Sequence, residues 1–353
     1  MSGLEIVGAL HGHSRYSDGR GTVEEIWEAA QEAHLDFLVL TDHDTLAPLE
    51  DVGEAFQGST LMLFGCEVSP PTNHLLVFGA TRCPDRSQAP QVYVDDARAQ
   101  GALTFLAHPH DRGVPLARIP SYRWDAWPLE GFTGLEIWNQ LSDWSGHLKG
   151  LGSAVQALRR PAAHLAGPEP QTLSLWDALG QERKVVGIAG LDVHDVQVGR
   201  GPLVAHIFPY AYAMRTLLCY VDVEAWSRDV AEAKGSLLAA LGAGRLHFAN
   251  AELADARNLT FQAERRDAPP ARLGDEVPWH SALALHLASP VAADLAILKD
   301  GRPIAQAFGD RLSAPVDGPG VYRAELRLPC GGRLLPWAFT NPIYLRPEGF
   351  ASR

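Results

Sequence analysis

Histidines and carboxylates recur in this sequence as short clusters: His11-Gly12-His13, Asp42-His43-Asp44, Glu67, His108-Pro109-His110 and Asp192-Val193-His194. Imidazole nitrogen and carboxylate oxygen together make a borderline ligand set that suits zinc, manganese or iron. In an extended segment, residues two apart point to one side, so His11 and His13 can grip one ion, and Asp192 and His194 repeat that arrangement. Glu67 can bridge two cations through its two oxygens. Clustered cations lower the pKa of bound water towards neutrality and supply hydroxide as a nucleophile. A single histidine at a strand end is ordinarily a hydrogen-bonded structural residue; five such clusters in one chain point to metal binding instead.

A series of apolar runs would position these groups. Leu4–Leu10, Leu35–Leu40, Leu61–Cys66, His74–Phe78, Ala102–Ala107, Gly134–Trp138, Val185–Leu191 and Leu203–Phe208 each read as a buried strand, and five of them lead into a cluster. Between the first two, Thr22 opens a helix with Glu25 completing a capping box, and Val23, Ile26, Trp27, Ala30 and Ala33 recur at helical spacing. Apolar strands separated by helices predict a parallel sheet covered on its faces by helices. A β/α barrel is the first expectation and an open doubly wound sheet the second. In such barrels the C-terminal strand ends form the active-site face, so the clusters would converge on one cleft. The Pro- and Trp-rich stretch from Arg112 to Glu130, and His164–Gln171, read as long loops. Ser236–Arg245 reads as a last helix before a strand at Leu246–Ala249. Beyond residue 255, alternating segments separated by turns such as Asp300-Gly301 predict an all-β sandwich, giving units at 1–255 and 256–353.

Composition narrows the function classes. The chain has 353 residues, 46% hydrophobic, with a formal charge of −12. No apolar run reaches the ~18–20 residues that span a bilayer and no signal-peptide pattern opens the chain, so a cytoplasmic protein without membrane contact is expected. The acidic balance repels polyanions and disfavours nucleic acid; a small-molecule substrate fits better. Cys66, Cys83, Cys219 and Cys330 form no CxxC pair, which excludes a zinc ribbon or redox dithiol and predicts free buried thiols. No Gly-x-Ser-x-Gly elbow or Walker-type phosphate loop is present.

At the clustered residues the chain resembles the polymerase and histidinol phosphatase (PHP) superfamily of metal-dependent phosphoesterases. The matching elements are His11-Gly-His13-Ser with Ser17-Asp18-Gly19, Thr41-Asp42-His43-Asp44, Gly65-Cys-Glu67, Ala107-His108-Pro109 and Gly190-Leu-Asp192-Val-His194. The resemblance implies a distorted (β/α)7 barrel and two or three divalent ions (Zn, Mn or Fe). His11, His13, Glu67 and Asp192 would hold the first ion. Glu67 would bridge to a second, bound also by His108, and Asp18, His43 and His194 would hold a third. Some members place a further histidine on the second metal; here Glu136-Ile137-Trp138-Asn139 occupies that part of the chain. Asn73-His74 before Leu75–Gly79, and the tail from Trp337 to Tyr344, are similar to the carbaryl-hydrolase-like branch, whose Gly-His carries Asn in place of Gly here.

Further candidates surround this set. His74 and Asn139 are read as catalytic or supporting groups, and Asp42 and Asp44 as carboxylates that orient His43. Asp192 or Asp42 would manage protons. Arg15 offers a bidentate fork to a substrate phosphate, with Arg112, Arg200 and His110 as weaker substrate contacts. Trp124, Trp127, Trp138 and Trp144 either line a pocket for an aromatic substrate or pack the core. The expected activity is hydrolysis of a small phosphomonoester or phosphodiester by metal-bound hydroxide. The alternatives are a hydrolase of carboxylic esters, amides or carbamates, and a non-catalytic ligand-binding or scaffold protein in which Tyr322, Trp337 and Tyr344 dock a partner or glycan.

Overall fold

The first apolar runs become strands close to their expected places: β1 (Leu4–Leu10), β2 (Phe37–Leu40), β3 (Ala55–Gln57), β4 (Thr60–Val68), β5 (Leu75–Phe78), β6 (Leu103–Leu106), β7 (Gly134–Asn139) and β8 (Val186–Gly190). This computed structural model describes residues 3–114, 119–148, 152, 157, 161–200, 203–265 and 268–350. β2, β4, β5, β7 and β8 are buried along their whole length, as strands covered on both faces must be. The helix Val23–Glu32 starts at Thr22, whose side chain accepts from the Glu25 backbone while the Glu25 carboxylate accepts from Thr22 N. That reciprocal cap satisfies two helix-end donors, and Val23, Ile26, Trp27 and Ala30 bury the inner face.

β1–β2, β2–β4, β6–β7 and β7–β8 are parallel pairs. β5 runs antiparallel to both β4 and β6; against β4 this follows from the short Ser69–His74 connection, which cannot make the crossover a parallel pair needs. The named strands do not close into the expected seven-unit barrel. β11 (Leu217–Val223) occupies the other edge of β1 over Leu4–Gly8, antiparallel, and β12 (Leu246–Asn250) follows it. Past β11 the free edge of the β1 extension meets the β8 extension: Leu191 N donates to Leu10 O (2.9 Å), Asp192 N to His11 O (2.7 Å) and His13 N to Val193 O (3.0 Å). The segments that follow β1 and β8 are therefore tied together where the candidate ligand clusters begin. The run expected at Leu203–Phe208 forms β10 (Leu203–Ile207), which pairs with β9 (Val196–Arg200) as a separate antiparallel ribbon. Among the described residues, no helix is long and apolar enough to cross a membrane.

The C-terminal strands are β13 (Thr260–Arg265), β14 (Ala268–Ala271), β15 (Glu276–Pro278), β16 (Ala284–Lys299), β17 (Arg302–Pro315), β18 (Gly320–Cys330), β19 (Arg333–Thr340) and β20 (Ile343–Arg346). β16 is one long strand, and a register shift against β17 between Ala288 and Ala293 interrupts its alternation. Asp300 and Gly301 both take positive φ (50° and 76°) and turn the chain back between β16 and β17. β19 pairs with β12, so these strands join the N-terminal sheet directly.

The tail braces β8. The Asn341 side-chain oxygen accepts from Gly187 N (2.8 Å) and its amide donates to Gly187 O (2.7 Å). Tyr344 donates to Val185 O at 2.7 Å. Trp337, Tyr322 and Tyr344 are buried, which removes the idea that they dock a partner or glycan. Of the four free cysteines, Cys66 and Cys219 are buried as expected, whereas Cys83, in the loop after β5, and Cys330, the last residue of β18, are half-buried.

Candidate metal centre

The strand ends deliver their clusters to one place. His11 and His13 follow β1, His43 follows β2, Glu67 ends β4, His74 precedes β5, His108 follows β6, and Asp192 and His194 follow β8. Three groups form: His11, His13, Glu67 and Asp192; Glu67, His74 and His108; and His13, Asp18, His43 and His194, with candidate ligand atoms in each group within 4.8 Å of one another. Glu67 belongs to the first two groups and His13 to the first and third. His74 completes the second group, in the part of the centre for which the sequence suggested Glu136–Asn139.

The proton positions decide what this cluster can hold. His11 Nδ1 lies 2.7 Å from Glu136 Oε1, His74 Nε2 lies 2.8 Å from Pro70 O and His194 Nδ1 lies 2.8 Å from Asp192 O. Each acceptor draws the ring proton to that nitrogen and leaves the other nitrogen with a lone pair. Those lone pairs face carboxylates: His11 Nε2 is 3.3 Å from Glu67 Oε2, His74 Nδ1 is 2.9 Å from Glu67 Oε1 and His194 Nε2 is 3.1 Å from Asp18 Oδ1. Lone pairs crowded together in a buried site repel unless protons or cations are shared among them. Both ring nitrogens of His13, and Nδ1 of His108, are buried with no hydrogen-bond partner. His13 Nε2 is 3.2 Å from Asp192 Oδ1, but the contact lacks hydrogen-bond geometry. Orphaned buried nitrogens beside paired carboxylates fit divalent cations in an N/O ligand set.

The titration behaviour has the same cause. Burial disfavours charge on every ring; it wins at His13, pushed down to about 3. At His43 and His108 burial is the largest single effect, but the nearby carboxylates, Glu67 foremost, together outweigh it and lift both to about 9. Burial pushes the carboxyls of Glu67 and Asp192 upward, yet the surrounding imidazoles, His11 foremost, hold both well below the usual carboxylate range. Protons on some rings balance the acids, a role that bound cations would take over.

Backbone geometry aims the ligands. His11, His108 and Asp192 all have positive φ (64°, 29° and 53°), a conformation that costs non-glycine residues about 1–3 kcal/mol and that surrounding structure must enforce. Gly190 permits the approach: a Cβ there would lie 2.0 Å from Glu136 Oε1 and 2.7 Å from His11 Cβ. Asn73 also has positive φ (67°), a region that asparagine tolerates better than most residues, which accounts for Asn in the place of Gly.

Several supporting residues differ from expectation. Asp42 does not orient His43; its oxygens accept from Ser14 N (2.8 Å), Ser14 Oγ (2.7 Å) and Ser17 Oγ (2.6 Å), so it shapes the loop carrying Asp18 and is committed away from proton handling. Asp44 accepts from Ser69 N and Arg86, and Ser69 Oγ, 2.6 Å from His43 Nδ1, is the group that orients His43. Asn139 supports the centre through Glu136 (3.0 Å) and Asp192 (3.2 Å). Glu136, whose Oε2 also accepts from His108 N at 2.7 Å, is the main residue that sequence reasoning passed over individually; a buried acid in β7 was its signal.

The expected substrate contacts fare worse. Arg15 is exposed and turns to Arg20 O and Glu25, in a separate surface depression. His110 bonds Thr172 and Arg112 pairs with Glu169, in a small cavity that His108, Glu136 and Asn139 also line, so both are engaged by protein partners. Arg200 ends β9, and its side chain lies outside the described residues. Trp124, Trp138 and Trp144 are buried in the core, where Trp144 also borders the cleft above the cluster, and Trp127 is exposed. That cleft, about 1140 Å³, also receives Arg86 and Tyr122, neither of which the sequence singled out.

No curated protein matches this chain. Among solved structures, a two-domain protein from Bacteroides vulgatus, described as containing a predicted PHP-like metal-dependent phosphoesterase, is 14% identical and overlaps 97% of this chain and 96% of its own, with a TM-score of 0.42. An amidohydrolase from Chromobacterium violaceum, described with bound sulfate and no metal, is 15% identical over 53% of this chain and 87% of its own, with a TM-score of 0.31. Overlaps this shallow leave the site's own geometry to carry the functional reading. Residues 9–108 match the family model of the PHP domain, a stretch that holds His11, His13, Asp18, His43, Glu67, His74 and His108.

Proposed function

We propose that this chain is a metal-dependent hydrolase of a small phosphomonoester or phosphodiester. The observation that carries the reading is the three-fold grouping of ligand atoms around Glu67 and His13. Residues 1–255 would form the catalytic unit, and 256–353 would brace it through Asn341 and Tyr344. The finer resemblance, to the carbaryl-hydrolase-like branch, is part of the proposal and draws support from His74 lying beside Glu67.

His11, His13, Glu67 and Asp192 would hold one cation, Glu67, His74 and His108 a second, and Asp18, His43 and His194 a third. Bound there, such cations would polarise the scissile group and acidify water. The protein's own part is positional: Glu136 and Ser69 fix the rings of His11 and His43, and Asn139 fixes Asp192. Water supplies the oxygen that joins phosphorus, the ester P–O bond breaks, and a proton passes to the departing alkoxide to give the alcohol. A second reading, hydrolysis of carbon esters or carbamates at the same centre, is favoured by the apolar walls of the cleft.

The test is a panel of 4-nitrophenyl phosphate, bis-4-nitrophenyl phosphate and naphthyl esters with manganese- or zinc-loaded protein. Hydrolysis of a phosphate, abolished in folded Asp192→Ala, supports the proposal. Activity on carbon esters alone transfers it to the second reading.

A further inference from the structure

The walls above the ligand cluster differ in chemistry from its floor. Leu141, Trp144 and Leu148, in and just after the helix Gln140–Gly146, face the cleft together with Val114, Ile119 and Ile207. Val196, on β9, extends this surface to the rim. Ile119 and Val196 are among the exposed large apolar residues of the chain, at 45% and 38%. Contiguous exposed apolar surface that borders a polar site is characteristic of a binding surface. Tyr122 joins the two regions: its ring lies 4.9 Å from that of His74, tilted by 30°.

The charges in the cleft point the same way. Among the described residues, Arg86 is the only Arg or Lys lining it, and Asp44 already pairs with that guanidinium at 3.0 Å. Asp18, Asp44 and Asp111 also line it. Ser69, Ser87, Ser142 and Ser145 add polar groups to the cleft, but a sugar or nucleotide moiety would find no hydrogen bond from the side chains of Leu141, Leu148, Ile119 and Val196, and a second phosphate would meet acids rather than cations.

Resting on the proposed hydrolase reading, we infer that the substrate is a phosphoester of a bulky, uncharged apolar alcohol, whose hydrocarbon part lies along Leu141, Leu148, Ile119 and Val196 while its ester group reaches the ligand cluster. The apolar surface continues directly into the cluster, so one molecule spans both. Each buried methylene should improve binding about fourfold.

The test has two arms. In the first, metal-loaded protein is titrated calorimetrically with 1-naphthol and with glycerol. Naphthol should bind, glycerol should not, and Ile119→Ser with Val196→Ser should weaken naphthol binding at least several-fold; both positions are exposed, so the double variant should fold. In the second, kcat/KM is measured for alkyl 4-nitrophenyl phosphate diesters from methyl to hexyl, and should climb with chain length in the wild type and less steeply in the double variant. Naphthol binding without hydrolysis of any ester would overturn the hydrolase reading and the phosphoester with it, leaving an apolar ligand site in the cleft. Hydrolysis that is flat across the series, with no naphthol binding, would overturn the inference and leave the hydrolase reading standing. Absence of both would overturn both.

Discussion

Glu136 holds two candidate metal ligands at once: Oε1 lies 2.7 Å from His11 Nδ1, and Oε2 accepts the His108 backbone N–H at 2.7 Å. A fully buried carboxylate in this position sets the ring proton of His11 and the chain direction at His108. Glu136→Gln keeps the shape but removes the charge and one acceptor. Metal affinity should fall about 10- to 100-fold, measured by competition against a chelator. Unchanged affinity would show that His11 needs no such partner.

Gly190→Ala tests the same contact from the backbone. The added methyl would sit 2.0 Å from Glu136 Oε1, so the carboxylate must leave His11 or β8 must shift. Metal binding should weaken while far-ultraviolet circular dichroism stays close to wild type. Full retention of metal would mean that the strand relaxes without cost to the centre.

Arg323 and Asp177 make a buried two-bonded pair (2.7 and 2.8 Å) that ties β18 to the helix Pro170–Glu182. Asp177→Ala leaves a buried guanidinium with Glu325 as its remaining carboxylate. Breaking a buried pair in this way typically costs about 3–5 kcal/mol. Urea denaturation should reveal a loss of that order; a loss below about 1 kcal/mol, the range of surface pairs, would contradict the structure.

His247 supplies a pH dependence away from the metal centre. Burial pushes its imidazole down to about 4, against the opposing effects of a carbonyl contact at Ala256 O (3.0 Å) and the Asp255 carboxylate. The unfolded chain takes up this proton near pH ~6.5, above the folded value, so it binds more protons between the two. Stability is therefore whole above about pH 6.5 and falls as pH drops towards 4, by up to about 3 kcal/mol. In metal-free protein, His247→Gln should lose less stability than wild type between about pH 7.5 and about pH 5. Parallel declines would assign the acid sensitivity elsewhere.

The ligand residues were legible because chemistry repeats at strand ends: His11, His13, Glu67, His108, Asp192 and His194 each stand at or just past an apolar run. Their mutual placement follows from the sheet. What escaped the sequence depends on contacts between distant segments. Ser69 orients His43 only because β4 lies beside β2, and Glu136 reaches His11 only because Gly190 leaves room. Arg15 resembled a phosphate clamp from its place in the first loop, but the loop is anchored by Asp42 and turns the guanidinium outward. The barrel expectation missed that β11 takes an edge of β1, since an antiparallel partner leaves no mark on the alternation of β/α units. Asp300-Gly301 was readable because its turn chemistry is local.

The central claim is that the clustered imidazoles and acids hold divalent cations. Its most direct measurement is the metal content of protein reconstituted with manganese or zinc and freed of excess, by inductively coupled plasma mass spectrometry, for wild type and Glu67→Gln. Two or three ions are expected per wild-type chain, with loss of at least one in the variant, because Glu67 belongs to two of the three groups. Folded wild-type protein that retains less than one ion per chain, or a variant that keeps the full complement, would contradict it.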